Sequence, residues 1–206
     1  MKVYTLNLGV LATNCHIAET ELGRCVAFDI GGDADKFLKF IESKNLKLTK
    51  ILLTHGHYDH ITAVAEVKKK TGAEVYIHEN DALMLEGDET SLASHLGIVL
   101  EHVTEYIAIR EGVIINDGDV SFYVMHTPGH TKGSVCYKTE NEIFAGDTLF
   151  AGSIGRTDLP GGSNAEMRSS LVRLKNLDGE YNVYTGHLEN TTLETERKNN
   201  PYMRNL

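Results

Sequence analysis

Thr54-His55-Gly56-His57-Tyr58-Asp59-His60 is the stretch on which the reading of this chain turns. It follows the apolar run Ile51-Leu52-Leu53 directly and places His55, His57, Asp59 and His60 within six residues. Neutral imidazole and carboxylate are good ligands for zinc and similar divalent metals. Crowding such groups into one turn buries no apolar surface and costs stability unless something binds there. A strand end that presents these side chains to one spot therefore reads as a metal site rather than a solvated polar turn.

Working outward, three more candidate ligands stand in one shared context. His130 lies in His126-Thr127-Pro128-Gly129-His130-Thr131, Asp147 follows Phe144-Ala145-Gly146, and His187 follows Tyr184-Thr185-Gly186. Each sits at a glycine that ends an apolar strand, where a side chain can point into a cleft instead of a core. The other histidines, His16, His78, His95, His102 and His126, read as core-edge or surface residues. Tyr58 could face the cleft or pack against a sheet.

The flanking sequence reads as alternating elements. Val3-Tyr4-Thr5-Leu6, Cys15-His16-Ile17-Ala18 and Cys25-Val26-Ala27-Phe28-Asp29 are β-rich runs. Asp33 is placed to cap a helix marked by Phe37, Leu38 and Ile41. Ile51-Leu52-Leu53 is a buried strand. Ile61, Val64, Ala65 and Val67 mark a helix ending near Gly72, and Glu74 to His78 is the next strand. The second half is more antiparallel: a turn at Asn116-Asp117-Gly118-Asp119, strands over 120–125, 135–138 and 142–145, a helix through Met167, Leu171, Val172 and Leu174, and a strand at 182–185. Residues 85–100 carry no clear pattern. Two strand-rich halves with helices outside them predict an α+β fold, a four-layer αββα sandwich of two facing sheets covered on both sides.

Length and composition bound the function. A chain of 206 residues with 41% hydrophobic content suits a single domain over residues 1–206. Lys and Arg total 20 and Asp and Glu 29, so the net charge is −9, and nucleic acid and anionic membrane are poor partners. No apolar stretch approaches membrane-spanning length, and Met1-Lys2-Val3-Tyr4 carries no signal-peptide pattern, which points to the cytoplasm. Cys15, Cys25 and Cys136 form no CxxC pair and read as reduced thiols. No Gly-x-Ser-x-Gly elbow supports a serine nucleophile.

The order of the motifs, HxHxDH followed by His, Asp and His, resembles the metallo-β-lactamase fold superfamily along the whole chain. Asp147-Thr148-Leu149-Phe150, Gly155-Arg156-Thr157-Asp158-Leu159-Pro160-Gly161-Gly162 and the ending Glu196-Arg197 to Asn200-Pro201 resemble its short glyoxalase II-like (hydroxyacylglutathione hydrolase-like) members. The resemblance implies two divalent metal ions, zinc first and iron or manganese as alternatives. His55, His57 and His130 would hold one, Asp59, His60 and His187 the other, and Asp147 would bridge them. Residues His55 and His57, two apart, face one side of extended backbone, and Asp59 and His60 follow in the turn. The same resemblance makes Asp29 an acceptor for a ligand imidazole N–H. The implied activity is hydrolysis of a small-molecule thioester by a metal-bound hydroxide, with Asp59 as both ligand and orienting catalytic group. A mononuclear iron persulfide dioxygenase and a lactonase are the rival readings, and oligomeric state is open. The chain departs from the glyoxalase II pattern in two places. Gly186-His187-Leu188-Glu189 stands where Gly-His-Gly-Pro is usual, and no C-terminal helical extension follows to supply basic residues for glutathione. Lys132, Arg156 and Lys138 are the cations expected near the mouth, with Arg156 paired to Asp158.

Overall fold

Side chains along the central strands alternate between two apolar environments, and that alternation builds the layers. The computed structural model describes residues 1–87 and 89–206; Asp88, within the stretch without a clear sequence pattern, lies outside the described residues. The first sheet runs β1 (Lys2–Leu8), β2 (Thr13–Glu21), β3 (Arg24–Phe28), β4 (Lys47–Leu52), β5 (Glu74–His78) and β6 (Ile107–Ile109), in that order. Strands β1 to β3 pair antiparallel and β3 to β6 parallel. The parallel crossovers carry α1 (Ala34–Ser43) and then α2 (Tyr58–Ile61) and α3 (Val64–Thr71), as parallel pairing requires. The second sheet runs β7 (Ile114–Asp117), β8 (Val120–His126), β9 (Val135–Lys138), β10 (Glu142–Gly146), β11 (Asn182–Thr185) and β12 (Thr191–Thr192). It is antiparallel except for β10 and β11, which are joined through α4 (Asn164–Lys175). A final helix, α5 (Leu193–Asn199), follows β12.

Three apolar clusters separate four layers. Cys15, Ile17, Cys25 and Ala27 of the first sheet pack with Phe37 and Ile41 of α1 and Val64 and Val67 of α3. Their neighbours Ala18, Val26 and Phe28 turn the other way and meet Phe122, Tyr137 and Phe144 of the second sheet. Ile143 and Ala145 face outward onto Met167, Leu171 and Leu174 of α4. The Phe28 and Phe144 rings stack 3.7 Å apart at the centre. This is the αββα sandwich expected from the sequence.

Several details differ from the expectation. Asp33 occupies the N-cap position of α1, but its left-handed backbone (φ 49°) turns the carboxylate away from the helix, and no side-chain cap forms. It accepts the Gly9 N–H at 2.9 Å instead and ties down the β1–β2 turn. The expected helix after the His-rich run is broken into α2 and α3, with Gly72 ending α3 at φ 73°. Residues 82–86, 89–91 and 94–96 form short 3-10 turns. His16 is not at the core edge. It lies between the sheets, where Nε2–H donates to the Thr185 carbonyl at 2.9 Å and Nδ1 meets the Thr5 hydroxyl at 3.0 Å.

The edge at which β3 and β4 begin is held by Asp117. Its fully buried carboxylate accepts from the Thr20 (2.6 Å) and Thr49 (2.9 Å) hydroxyls, the Arg24 guanidinium (2.8 Å) and the Lys50 ammonium (3.2 Å). One side chain from the second sheet thus fastens three strands of the first. Asp117→Ala leaves Lys50 and Arg24 without that partner and is expected to cost about 3 kcal/mol in urea unfolding. Metal content should be unchanged, because the candidate ligands lie at the opposite strand ends.

Burial pushes the His16 imidazole down from 6.5 to about 4, against the Thr185 carbonyl and Asp29, which favour its charged form. The unfolded chain therefore binds the proton more readily. This contribution to stability is present above pH 6.5 and is lost as pH falls toward 4. A His16→Gln variant should show a shallower fall in unfolding free energy over that window, by up to about 3 kcal/mol.

Candidate metal centre

Strand ends from both sheets converge at one edge of the sandwich. The chain leaves β4 into the turn that holds His55 and His57, and α2 carries Asp59 and His60. His130 lies in the β8–β9 connection, Asp147 follows β10, and His187 follows β11. The structure brings all of these side chains together. His55, His57 and His130 form one group, Asp59, His60 and His187 another, and His55, His60 and Asp147 a third, with the ligand atoms within each group no more than 4.8 Å apart. The Asp147 oxygens lie between them. Oδ1 is 3.4 Å from His60 Nε2, and Oδ2 is 3.5 Å from His130 Nε2 and 3.7 Å from His187 Nε2. Asp59 Oδ2 stands 3.2 Å from His187 Nε2 and 3.5 Å from His60 Nε2. Glycine is required where Asp147 nestles against the β11 end. A Cβ on Gly186 would meet Asp147 Oδ1 at 2.2 Å.

The outer nitrogens of three of the imidazoles, His55, His60 and His130, are already engaged, which sets how those rings are turned. Asp29, at the end of β3, accepts the Thr54 N–H on Oδ1 (2.8 Å) and both the Thr54 hydroxyl (2.7 Å) and His60 Nδ1–H (3.0 Å) on Oδ2. Having donated its own proton to Asp29, the Thr54 hydroxyl is left to accept from His55 Nδ1–H at 3.1 Å. One carboxylate thus orients His60 directly and His55 through Thr54. His130 Nδ1–H donates to the Arg156 carbonyl at 2.7 Å. In the His55 and His60 rings Nε2 is left without a partner, while His57 Nδ1 and His130 Nε2 face each other at 2.9 Å.

Asp81 does similar work one step further out. Its buried carboxylate accepts from the Gly56 N–H (3.2 Å), the Thr131 hydroxyl (2.6 Å) and the Gly133 N–H (2.7 Å), joining the His55–His57 turn to the loop of His130. Sequence reasoning missed both Thr54 and Asp81. Thr54 adjoins the first ligand, and that adjacency was its one signal. Asp81 carries none, because its partners lie 25 to 52 residues away.

The donor set fits cations. Nε2 of His55, His57 and His60 and Oδ1 of Asp147 are buried without a hydrogen-bond partner. Unpaired polar atoms of this kind each cost about 1–3 kcal/mol, which a bound cation would remove. Burial pushes His55 well down, reinforced by the surrounding imidazoles, and burial and His130 push His57 down to about 3, so both are neutral ligands in waiting. Burial also opposes charge on His60, but Asp59, Asp147 and Asp29 outweigh it and raise its value to about 10. Burial works against the Asp59 carboxylate, yet His60 and His187 hold it below the usual range. The field at this point favours positive charge.

The ligand groups open into a cleft of about 760 Å³. Tyr58 both lines it and belongs to the helix-side core. Arg156 also lines it, and its guanidinium makes the expected two-pronged pair with Asp158, at 2.8 Å in each prong. Lys132 and Lys138 are not among its lining residues, and Lys138 lies over the Tyr181 ring instead. Cys15, Cys25 and Cys136 are free and buried, and burial pushes their thiols up, which leaves no thiolate nucleophile among them.

Comparison with known proteins agrees with the fold and the site. The sequence pattern of the Metallo-beta-lactamase superfamily matches residues 8–187, and the chain belongs to that superfamily. It is 34% identical to a probable metallo-hydrolase, YqgX, of Bacillus subtilis, over 98% of each chain. It is 31% identical to the hydroxyacylglutathione hydrolase GloC of Haemophilus influenzae, again over 98% of each. Among solved structures it resembles the BLEG-1 B3 metallo-beta-lactamase (33% identity, TM-score 0.93, 98% of this chain and 99% of that one). It resembles TTHA1623 in a di-iron-bound form (35%, TM-score 0.88, 97% and 99%). A third likeness is to ETHE1 from Myxococcus xanthus (27%, TM-score 0.84, 100% and 85%).

Asp29→Asn and Thr54→Val each break the chain of contacts behind His55 and His60 while leaving the ligands in place. Each variant should bind metal about 10- to 100-fold more weakly in competition with a chelator. Unchanged affinity would show that these contacts do not position the ligands.

Proposed function

We propose that this protein is a metal-dependent hydrolase that cleaves a small-molecule thioester. His55, His57 and His130 would hold one divalent cation, Asp59, His60 and His187 a second, and Asp147 would bridge them; zinc is the first choice, iron or manganese the alternatives. The observation that carries the reading is Asp147, whose oxygens face imidazoles of both groups while Oδ1 is buried without a hydrogen-bond partner. The thioester is supported by the likeness to the hydroxyacylglutathione hydrolase of Haemophilus influenzae. Among the described residues no helix is long and apolar enough to cross a membrane. The reading is of a single-domain cytoplasmic enzyme whose partners are small molecules.

Divalent cations in these positions supply Lewis acidity toward a carbonyl oxygen and make water a competent nucleophile at neutral pH. The chain's own groups do the rest. Asp59, held as a carboxylate, faces the cleft and can accept a hydrogen bond from the attacking water and orient it, while the proton that the water gives up passes to bulk solvent. Asp29, Thr54 and the Arg156 carbonyl keep the imidazoles turned inward. Water adds its oxygen to the acyl carbon, the carbon–sulfur bond breaks, and the thiolate leaves. A thiolate is a good leaving group, so the reaction needs no separate strong acid.

One observation favours a second reading. His55, His60 and Asp147 form a two-imidazole, one-carboxylate group, a set that also suits a single non-haem iron, as in a persulfide dioxygenase. Elemental analysis of protein grown without added metal separates the two. About two zinc per chain with thioester hydrolysis supports the hydrolase. One iron per chain, with oxygen consumed on addition of a persulfide, supports the dioxygenase. Asp147→Asn removes the bridging charge. It should lower occupancy at both positions and reduce hydrolysis by about 100-fold or more. Two bound metals with full activity would overturn the bridging assignment.

A further inference from the structure

Beside Tyr58, His95, Pro160 and Arg156, the walls of the cleft over the candidate ligands are mostly leucine and phenylalanine. Leu11 comes from the β1–β2 turn, Leu92 from the bend between the last two 3-10 turns after β5, Leu96 from the last of those turns, Phe150 from the segment after β10, Leu159 from the loop after Asp158, and Leu188 from the loop after β11. These are separate loops, and each turns an apolar side chain toward the same space. Leu11 is 53% exposed, Leu96 60% and Leu188 68%, so they form a wet apolar mouth instead of a closed core. Leucines left exposed around one cavity mark a surface meant to be covered.

Two of these residues are held against their backbone preference. Leu92 has φ 68° and Leu188 has φ 65°. A leucine pays a steric cost in left-handed backbone that glycine does not. The surroundings nevertheless fix the Leu188 loop. Asn14 Nδ2 donates to the Leu188 carbonyl at 2.9 Å, and the Thr185 hydroxyl donates to the Glu189 carbonyl at 3.1 Å. Strain kept at a cavity wall points to a use for the side chain.

Charge recognition is weak by comparison. Among the described residues Arg156 is the only lysine or arginine lining the cleft, and both prongs of its guanidinium are taken by Asp158. The chain as a whole carries −9. A substrate bearing several carboxylates would find little here to hold them.

Resting on the thioester reading above, we propose that the substrate carries an uncharged, apolar acyl chain, and that Leu188 and Leu92 set this specificity by walling the cleft beside the ligands. Such a chain would cover the exposed leucines and gain affinity with each methylene.

The test uses the metal-loaded full chain and two sets of probes. The first comprises acetyl, hexanoyl and succinyl thioesters of N-acetylcysteamine, together with S-lactoylglutathione. The second comprises ketone analogues of the three N-acetylcysteamine compounds, with CH2 in place of sulfur, which bind without being cleaved. Titration calorimetry should find the hexanoyl ketone bound about tenfold or more tighter than the acetyl and succinyl ketones. Leu188→Gly and Leu92→Gly should each shrink that preference at least about threefold, with the melting temperature level or higher for the exposed Leu188 because strain is relieved, and lower for Leu92, which also packs against the helix-side core. Tighter binding of the succinyl ketone, or a hexanoyl preference untouched by both variants, would overturn the assignment. The thioesters report on the chemistry separately. Hydrolysis that favours S-lactoylglutathione over the hexanoyl substrate counts against the apolar chain while upholding the hydrolase. Selective ketone binding with no thioester cleaved would sink the thioester reading and support the apolar cleft.

Discussion

The carboxylate of Asp29 is the contact on which the geometry of the centre depends. It sits 2% exposed at the end of β3, in a left-handed backbone conformation that aspartate tolerates better than most residues. From there it takes the Thr54 amide, the Thr54 hydroxyl and the His60 ring N–H. A carboxylate that accepts from three donors fixes the direction of each, and its charge is felt by the His16 and His60 imidazoles. The strand end of β3, the exit of β4 and the start of α2 are thereby held in one arrangement. Asp81 repeats the device between the His55–His57 turn and the His130 loop.

The two ends of the sandwich divide the labour between stability and chemistry. At one end Asp117 gathers two hydroxyls and two cations, so its charge is answered by the protein itself. At the other end imidazoles and carboxylates are gathered with ring nitrogens left unpaired. Between them the stacked aromatics and aliphatics of the inter-sheet core, with Phe28 against Phe144, make the platform that both ends use. That rigid middle lets an electrostatically costly cluster persist at a strand edge.

Membership of the metallo-β-lactamase superfamily leaves the substrate undetermined, because a substrate is met by loops and not by the strand ends that gather the imidazoles and carboxylates. In this chain the loops present leucines, and Leu188 does so from a backbone that glycine would occupy without strain. The departure at Gly186-His187-Leu188-Glu189 is therefore a change in the wall of the cleft as well as in the sequence of a loop.

The sequence by itself determined the layers and the chemistry of the edge. Period-two alternation in Cys15–Ala18 and Cys25–Phe28 divides each strand between two cores, and apolar runs ending at glycine announce where polar side chains leave the sheet. His55, His57, Asp59 and His60 are legible because they crowd into one turn, and the Arg156–Asp158 pair because its partners are two residues apart. Contacts between distant segments could be decided only by the tertiary structure. Asp33 reads as a helix cap, yet it holds Gly9, because its backbone conformation and the approach of the β1–β2 turn outweigh the local preference. His16 reads as peripheral, yet it spans the sheets, because its partner Thr185 lies 169 residues along the chain. Asp81 and Asp117 likewise look like ordinary turn residues until the fold surrounds them with donors. Local pattern sets which residues are apolar, extended or clustered; which polar groups meet depends on how the two sheets close on one another.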